Sequence, residues 1–401
     1  MIQFEDAYRI VMESAVELEA ETAPLFESCG RVLAEDISSD IDMPPFDKSA
    51  MDGYACRLDD LDVPLEIIET IPAGHTPRQA VGSGQCAKIM TGGVVPEGAD
   101  CVVMVEHTAM EGERVHIIKK TGALNICYRA EDVKKGDIVL RKGTLISPSE
   151  VAVLSAVGRT LVPVSRRPVV GVAATGSELV DPSHMPSKAE IRDSNRAQLL
   201  SQVGNAGCSP VDLGIVTDQP EAIGKVIERA RKKLDIILLS GGVSMGDYDF
   251  VPRVLREKGF EILFEKVAIK PGKPTLFGRD DNTFVFGLPG NPVSTFVIFE
   301  LFVRPFCYAL MGCGCTGLVI TAELADSVRR KKSERVAHIP VRLDADGRVR
   351  PVEYHGSAHI HAYTMADGFI PVPVGISEMP DGSAVRVVLT RRTCRGGCSC
   401  G

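Results

Sequence analysis

Residues 235–250 read DIILLSGGVSMGDYDF, an apolar run of strand length followed directly by a glycine-rich loop. A short, continuous apolar segment bounded by glycine is typical of a buried strand in a parallel sheet. Gly241, Gly242 and Gly246 allow the loop to turn its backbone N–H groups towards a ligand, which favours an anion. The stretch therefore predicts an anion-binding loop at the carboxyl end of a strand in an α/β domain.

Two further polar loops follow at short range. KPGKP (270–274) sets ammonium groups on a proline-stiffened turn, and GLPGNPVS (287–294) ends another strand and begins an apolar helix. Ligands of open α/β sheets bind outside the carboxyl ends of the strands. We therefore expect the three loops to converge at one edge of the sheet.

The composition is that of a globular protein with several domains, because 401 residues with 44% hydrophobic and 24% charged side chains exceed the usual size of one domain. The net charge of −8 argues against general nucleic-acid binding, so an anionic ligand has to meet a local basic site. Residues 1–18 read as an acidic amphipathic helix and not as a signal peptide. Glu300 and Arg304 interrupt the apolar run 296–312, which indicates a core helix and not a membrane span. We expect a cytoplasmic protein with no membrane or nucleic-acid partner.

The pattern of elements predicts a multidomain α/β protein. Strand and helix alternate from Pro168 onwards, which favours a parallel sheet with helices on both faces. Short strands separated by glycine and proline occur on either side of it and predict two small β-barrels. The expected units are an elongated N-terminal module (1–43 and 138–167), an inserted β-barrel (44–137), the α/β domain (168–316), a C-terminal β-barrel (317–392) and a cysteine-containing tail (393–401).

Six segments are similar to the motifs of the MoeA family, the molybdopterin molybdenumtransferases. SGGVSMGDYD, KVAIKPGKP and GLPGNPVS resemble the family in the central domain, as do PPFDKSAMDGYA (44–55), KIMTGGVVPEGAD (88–100) and ATGSEL (174–179) in the same order as in the family. One glycine-rich loop is a weak signal, but motifs spread over nearly the whole chain are specific. The resemblance implies a central domain of the molybdopterin-binding type. It also implies insertion of molybdate into adenylylated molybdopterin with release of AMP, Mg²⁺ as cofactor, and a homodimer formed by the N-terminal module.

The resemblance also assigns roles to individual residues. Those matching catalytic positions of the family are Asp249, Asp218, Glu178, Lys266, Lys270, Asp52 and Thr91. The three carboxylates of the central domain are expected to arrange Mg²⁺ and the substrate phosphate, and the last two residues to reach the cleft from the partner subunit. The expected substrate-binding residues are Gly241, Gly242, Ser244, Lys273, Pro289, Asn291, Pro292, Ser294 and Arg335. Ammonium groups on the KPGK turn suit a tetrahedral oxyanion, and molybdate and tungstate are equally compatible with it.

Several readings stay open at this point. Asp218 is well placed to cap the helix that begins near Pro220, and Glu178 lies in a segment that also resembles a helix cap. Cysteines at 313, 315, 394, 398 and 400, and histidines at 355, 359 and 361, allow a metal site or a purely structural role. Arg129 is the only arginine in a segment where the family has several, and His338 and Pro340 also depart from its pattern.

Two other functions are compatible with the central domain. A related adenylyltransferase, which makes adenylylated molybdopterin and is also a possible partner, shares this domain, but the flanking modules argue against that activity. A scaffold that assembles partner proteins is the non-enzymatic alternative. The acidic and lysine residues of the loops argue against a scaffold alone.

Overall fold

The computed structural model describes residues 1–244, 249–314, 317–354, 356 and 358–390. The tail 393–401 with its three cysteines, and also Cys315 and His355, lie outside the described residues. The helices are α1 (Phe4–Glu13), α2 (Pro148–Ala156), α3 (Asn195–Asn205), α4 (Pro220–Ala230), α5 (Val251–Glu257), α6 (Pro292–Ile298), α7 (Arg304–Leu310) and α8 (His361–Thr364). A π-helical segment, Phe299–Val303, joins α6 to α7.

The strands fall into three groups along the chain. The first group is β1 (Ala20–Pro24), β2 (Ile37–Ser38), β3 (Lys48–Ser49), β4 (Gly53–Cys56), β5 (Leu65–Ile71), β6 (Gln85–Ile89), β7 (Cys101–Met104), β8 (Thr108–Glu111), β9 (Arg114–Ile117), β10 (Ile126–Cys127), β11 (Ile138–Leu140) and β12 (Leu161–Ser165). The second is β13 (Val169–Thr175), β14 (Leu179–Val180), β15 (Ile191–Arg192), β16 (Ser209–Val216), β17 (Ile236–Ser240), β18 (Glu261–Phe264), β19 (Ile269–Lys270), β20 (Leu276–Arg279) and β21 (Phe284–Leu288). The third is β22 (Leu318–Glu323), β23 (Val328–Arg329), β24 (Val336–Leu343), β25 (Val349–Pro351), β26 (Gly368–Val372), β27 (Glu378–Met379) and β28 (Ala384–Leu389).

The central sheet has the strand order β16-β13-β17-β21-β20-β18. Side chains of β17 alternate between two hydrophobic clusters, with Ile236 and Leu238 on one face and Ile237 and Leu239 on the other. Helices α3, α6 and α7 cover the first face, and α4 and α5 cover the second. Because both faces are buried, the strand reads as a continuous apolar run, as the sequence indicates.

The prediction of a wholly parallel central sheet is wrong at one end. Strands β16, β13, β17 and β21 are parallel, but β20 and β18 pair antiparallel. Only residues 280–283 connect β20 to β21. A parallel connection needs a crossover of a dozen residues or more, so this short turn forces a hairpin.

The longest apolar segment is a core helix, as predicted. Pro292–Leu310 is long and apolar enough to cross a membrane by length and composition, but 83% of its most apolar window is buried inside the protein. Glu300 and Arg304, the charges that interrupt the run, lie one helical turn apart and pair with each other. The pairing explains how two charged side chains are accommodated in this core.

The segments on either side of the inserted domain pair with each other. β1 is antiparallel to β12, and β2 is antiparallel to β11. Helix α2 begins with the capping box of Ser147 and Glu150, whose carboxylate accepts the Ser147 N–H at 2.8 Å. Helix α1 does not join these strands, because Ala7 and Val11 are buried in the same cluster as α7. The N-terminal helix thus packs on the central domain.

The inserted unit is an open sheet and not the small β-barrel predicted from the sequence, because the end strands of its order β7-β4-β6-β5-β9-β8 do not pair within the described chain. In the inserted sheet, the 3₁₀ turn Val105–His107 lies between β7 and β8 in the chain. The C-terminal sheet has the order β19-β24-β26-β28-β22. A bridge between Leu324, which follows β22, and Val349 of β25, which pairs with β24, closes the strands from β24 to β22 into a ring. Strand β19, which carries Lys270, comes from the central domain and pairs with β24. The C-terminal sheet therefore extends to the edge of the KPGK turn.

Candidate active site

A cleft of about 260 Å³ opens at the carboxyl edge of the central sheet. Its walls come from the end of β13, from the segments that follow β13, β16, β17 and β21, from Asp249 two residues before α5, and from the end of the KPGKP turn. The lining residues are Thr175, Gly176, Glu178, Asp218, Gly241, Gly242, Val243, Ser244, Asp249, Pro274, Pro289 and Gly290. The parallel part of the sheet produces this arrangement, because parallel strands end at the same edge.

The loop after β17 has a conformation that requires glycine. Gly241 has φ of +99° and Gly242 has φ of +64°, which side chains other than glycine rarely adopt. A Cβ on Gly241 would also lie 2.3 Å from the carbonyl oxygen of Thr175. The backbone is therefore bare along this wall of the cleft, as an anion-binding loop needs.

Three carboxylates predicted from the sequence line the same cleft, and the helix-cap readings of two of them are wrong. Asp218 does not cap α4, whose N-cap residue is Gln219, and its carboxylate instead accepts the N–H of Ser177 at 3.0 Å. Glu178 lies in a turn that leads into β14, and no helix begins there. Asp249 precedes α5, whose N-cap residue is Phe250. The hydrogen bond between Asp218 and Ser177 connects the segments that follow β13 and β16 across the cleft.

These carboxylates fit Mg²⁺ only as part of a larger ligand set. Among the described residues, no three His, Cys, Asp or Glu side chains lie close enough to hold a metal ion together. Magnesium in proteins commonly binds one or two carboxylates and completes its shell with water and substrate phosphate. A preformed three-carboxylate site of Glu178, Asp218 and Asp249 is therefore not present, whereas a site shared with a phosphate is chemically reasonable.

The predicted basic residues lie on segments beside the cleft and are not in its immediate lining. Lys270 and Lys273 are exposed, and Lys266 is half-buried. Val267 N–H donates to the Lys273 carbonyl at 3.0 Å, and Arg335 Nη1 donates to the Ile269 carbonyl at 3.1 Å. The backbone of the KPGK turn is thus fixed from both sides, and Pro274 carries it to the cleft wall.

Comparison with known proteins follows the same division of the chain. Residues 2–158 match the model of the MoeA N-terminal region (domain I and II), residues 171–309 that of a probable molybdopterin binding domain, and residues 321–390 that of the MoeA C-terminal region (domain IV). The chain is 36% identical over 410 residues to the molybdopterin molybdenumtransferase of Bacillus subtilis, covering 97% of this chain and 94% of that protein. The chain belongs to the MoeA family.

Other members agree in sequence and in structure. The Staphylococcus epidermidis molybdopterin molybdenumtransferase is 35% identical over 404 residues, which cover 97% of this chain and 96% of the relative. The crystal structure of the molybdopterin biosynthesis MoeA protein from Pyrococcus horikoshii OT3 superposes with a TM-score of 0.85 at 31% identity, covering 97% of this chain and all of that one. The resemblance seen in the sequence motifs is confirmed, and the fold is the multidomain MoeA fold with mixed sheets.

Two of the residues assigned from the MoeA motifs lie in the inserted domain, away from the lining of this chain's cleft. Asp52 Oδ1 accepts hydrogen bonds from the Thr91 N–H at 2.6 Å and the Thr91 hydroxyl at 2.7 Å. These hydrogen bonds lower the pKa of Asp52 from its ordinary value. The structure thus joins two residues that are far apart in the chain into one exposed carboxylate-hydroxyl pair.

The loop after β21 divides its predicted residues between the cleft and the core. Pro289 lines the cleft, whereas Asn291 and Pro292 are the N-cap and first residue of α6. Ser294 is only 3% exposed. Its side chain is therefore buried in α6 and lies outside the cleft lining.

Two of the three departures from the MoeA pattern, Arg129 and His338, have defined contacts in the structure. Arg129 Nε donates to Asp42 at 2.6 Å. His338 is 2% exposed between the rings of Phe4 and Phe369, and burial lowers its pKa to about 3. His338 therefore acts as a neutral aromatic group that packs α1 against the C-terminal sheet.

The metal readings of the remaining cysteines and histidines gain no support in the described residues. Cys313 is a buried free thiol, and the rings of His359 and His361 stack 6.3 Å apart without a third metal-binding side chain. Cysteines within apolar segments, such as Cys86 and Cys307, are buried as predicted. They behave as small hydrophobic residues.

Sequence reasoning missed part of the cleft wall. Thr175, Gly176, Val243, Pro274 and Gly290 line the cleft but are not among the predicted site residues. All of them lie inside the motifs ATGSEL, SGGVSMGDYD, KVAIKPGKP and GLPGNPVS. Taking each motif as a whole, and not selected residues of it, would have included them.

Proposed function

We propose that this protein is a molybdopterin molybdenumtransferase that acts on adenylylated molybdopterin and molybdate and yields the molybdenum cofactor and AMP. The observation that carries the proposal is the cleft in which the bare Gly241–Gly242 backbone faces Asp218 and Asp249, within a chain that aligns with the curated transferases over nearly its whole length. Pyrophosphate cleavage beside a second oxyanion brings several negative charges together. N–H groups, ammonium groups and a divalent cation at one site can stabilise them.

In this proposal each group has a limited role. The N–H groups of the glycine loop beyond Gly241, whose own N–H donates to the Leu288 carbonyl, bind the phosphates, and the lysines of the KPGK turn hold molybdate or tungstate. Mg²⁺, when bound, would neutralise phosphate charge beside Glu178, Asp218 or Asp249. Asn291, Pro292 and the half-buried Arg335 shape the neighbouring loops. We place the reaction in the cytoplasm, where the adenylyltransferase that supplies the substrate is a plausible partner.

The proposal is tested by measuring AMP release from adenylylated molybdopterin with and without molybdate, and with and without Mg²⁺. Molybdate-dependent release of AMP is expected. Formation of adenylylated molybdopterin from molybdopterin and ATP would instead indicate the adenylyltransferase reaction. If a well-folded preparation catalyses neither reaction, the result would favour the scaffold.

Replacing Lys273 with alanine is expected to raise the KM for molybdate roughly tenfold, because one charged hydrogen bond to the oxyanion is lost. The KM for adenylylated molybdopterin should change much less. Steady-state kinetics with both substrates varied measure the two values. Lys232→Ala, an exposed lysine before the amino end of β17 at the opposite edge of the sheet, is the matched control. Equal changes in both KM values would refute an oxyanion role for Lys273.

We further propose a homodimer in which Asp52 and Thr91 complete the partner's cleft. Phe26 is 92% exposed and Leu161 is 64% exposed, at the same end of the β1-β12 pair. Val16 of the N-terminal region is a further exposed apolar side chain, at 69%. Apolar surface of this kind on the N-terminal module supports contact with a second copy.

The shared site is tested by mixing inactive Asp52→Ala and Asp249→Ala chains. With random pairing, about a quarter of all sites would combine an intact Asp52 with an intact Asp249, so about a quarter of the activity should return. A mixture of Asp218→Ala and Asp249→Ala chains is the control, because both residues lie in the cleft of one chain and no intact site can form. Mixed dimers without recovered activity would contradict the shared site.

A further inference from the structure

Asn195, the first residue of α3, connects two of the loops that form the cleft. Its Nδ2 donates to Ser240 Oγ at 2.9 Å and to the Gly290 carbonyl at 2.7 Å. Ser240 ends β17 directly before the glycine loop, and Gly290 lies in the cleft wall after β21. One side-chain amide therefore spans the two strand ends, although α3 itself does not line the cleft.

The orientation of this amide is determined by its partners. The Gly290 carbonyl can only accept a hydrogen bond, so the Asn195 side chain has to present its NH₂ group there and not its oxygen. Asn195 Oδ1 is buried and has no hydrogen-bond partner among the described residues. Leaving a buried acceptor unpaired costs free energy. The side chain keeps this orientation despite that cost, so the two donated hydrogen bonds determine its position.

The two loops are in close contact where Asn195 joins them. The Gly241 N–H donates to the Leu288 carbonyl at 3.0 Å, and a Cβ on Gly290 would lie 3.8 Å from Gly241 Cα. Asp193, two residues before α3, is 2% exposed and accepts the Arg196 N–H at 3.0 Å. Asn195 is thus presented from a well-anchored helix start to a pair of otherwise irregular loops.

We propose that Asn195 is a positioning residue that holds the glycine loop at a fixed distance from the Gly290 loop, so that the backbone N–H groups are ready for a phosphate. Its effect on the reaction rests on the proposed function. Its effect on the loops does not. The role belongs to the amide donor, because a side chain of the same shape without the NH₂ group places a second acceptor opposite the Gly290 carbonyl.

The first test needs no substrate. Asn195→Asp keeps the shape of the side chain, and a negative charge in the first turn of a helix is favourable, so the variant is expected to fold. Backbone amide hydrogen exchange at residues 238–244 and 287–291 should become roughly tenfold faster than in the wild type, because both donated hydrogen bonds are lost. Asn195→Ala should show the same direction. Asn205→Asp, the same chemical change at the exposed last residue of α3, is the control. Unchanged exchange in the Asn195 variants would overturn the proposal.

The second test uses the reaction. Asn195→Asp should raise the KM for adenylylated molybdopterin roughly tenfold, with a smaller change in the KM for molybdate. Asn195→Ala, which also lacks the NH₂ group, should change the two KM values in the same way, and Asn205→Asp should leave both unchanged. Normal kinetics of the Asn195 variants despite faster exchange, or equal changes in both KM values, would overturn the positioning role. Absence of AMP release by the wild type would refute the proposed function alone, and the exchange comparison would still decide the role of Asn195.

Discussion

Replacing Asp249 with asparagine is expected to lower molybdate-dependent AMP release about a hundredfold or more, on the order of 3 kcal/mol in transition-state stabilisation. The amide has nearly the same size as the carboxylate but lacks the charge that would hold Mg²⁺ beside the phosphate. Asp249 lines the cleft and is not the N-cap of α5, so the change should leave the thermal unfolding temperature nearly unaltered.

Rates measured over a range of Mg²⁺ concentrations separate the proposed role from a general loss of structure. Asp281→Asn is the matched control, because this exposed aspartate lies in the hairpin between β20 and β21, before the amino end of β21. Near-full turnover with an unchanged Mg²⁺ requirement in Asp249→Asn would contradict a metal role for this residue.

Replacing Arg304 with methionine is expected to lower the free energy of unfolding by about 3 to 5 kcal/mol, because Glu300 would remain buried without its counter-charge. Glu300 is 6% exposed and accepts hydrogen bonds from Arg304 Nε at 2.6 Å and Arg304 Nη2 at 2.9 Å. Gln202 Nε2 also donates to Glu300 at 2.7 Å. Burial alone would lower the pKa of Arg304, but the Glu300 carboxylate raises it overall, which is consistent with a charged pair.

Chemical denaturation of three variants tests this expectation. Arg9→Met is the surface control, since Arg9 and Glu13 have the same four-residue spacing but both are largely exposed, and such pairs contribute about 1 kcal/mol or less. The double variant Glu300→Leu with Arg304→Met should recover much of the loss, because no unpaired charge is left in the core. If Arg304→Met lowers the free energy of unfolding no more than Arg9→Met does, the buried pair contributes no more to stability than an exposed pair.

Local sequence determined the elements that carry the chemistry. The apolar run 236–240 can be buried on both faces, and Gly241 and Gly242 adopt positive φ values at its end, so a strand followed by an anion-binding loop was predictable. Ser147 and Glu150 lie three residues apart, and their capping box depends on that spacing alone. The MoeA family was recognisable for the same reason, because its motifs are short and contiguous.

Tertiary structure decided everything that depends on which strands and loops meet. Sequence period does not distinguish a parallel neighbour from an antiparallel one, so the predicted parallel sheet did not include the reversed strand β20, which is antiparallel to both β18 and β21. Asp218 has the residue type and spacing of a helix cap, yet its carboxylate binds the Ser177 N–H on a segment that follows a different strand. Asn195 carries no motif signal, since its two partners lie 45 and 95 residues away in the chain. Contacts at such separations depend on the packing of whole elements, and for that reason only the folded chain shows which polar groups form the cleft.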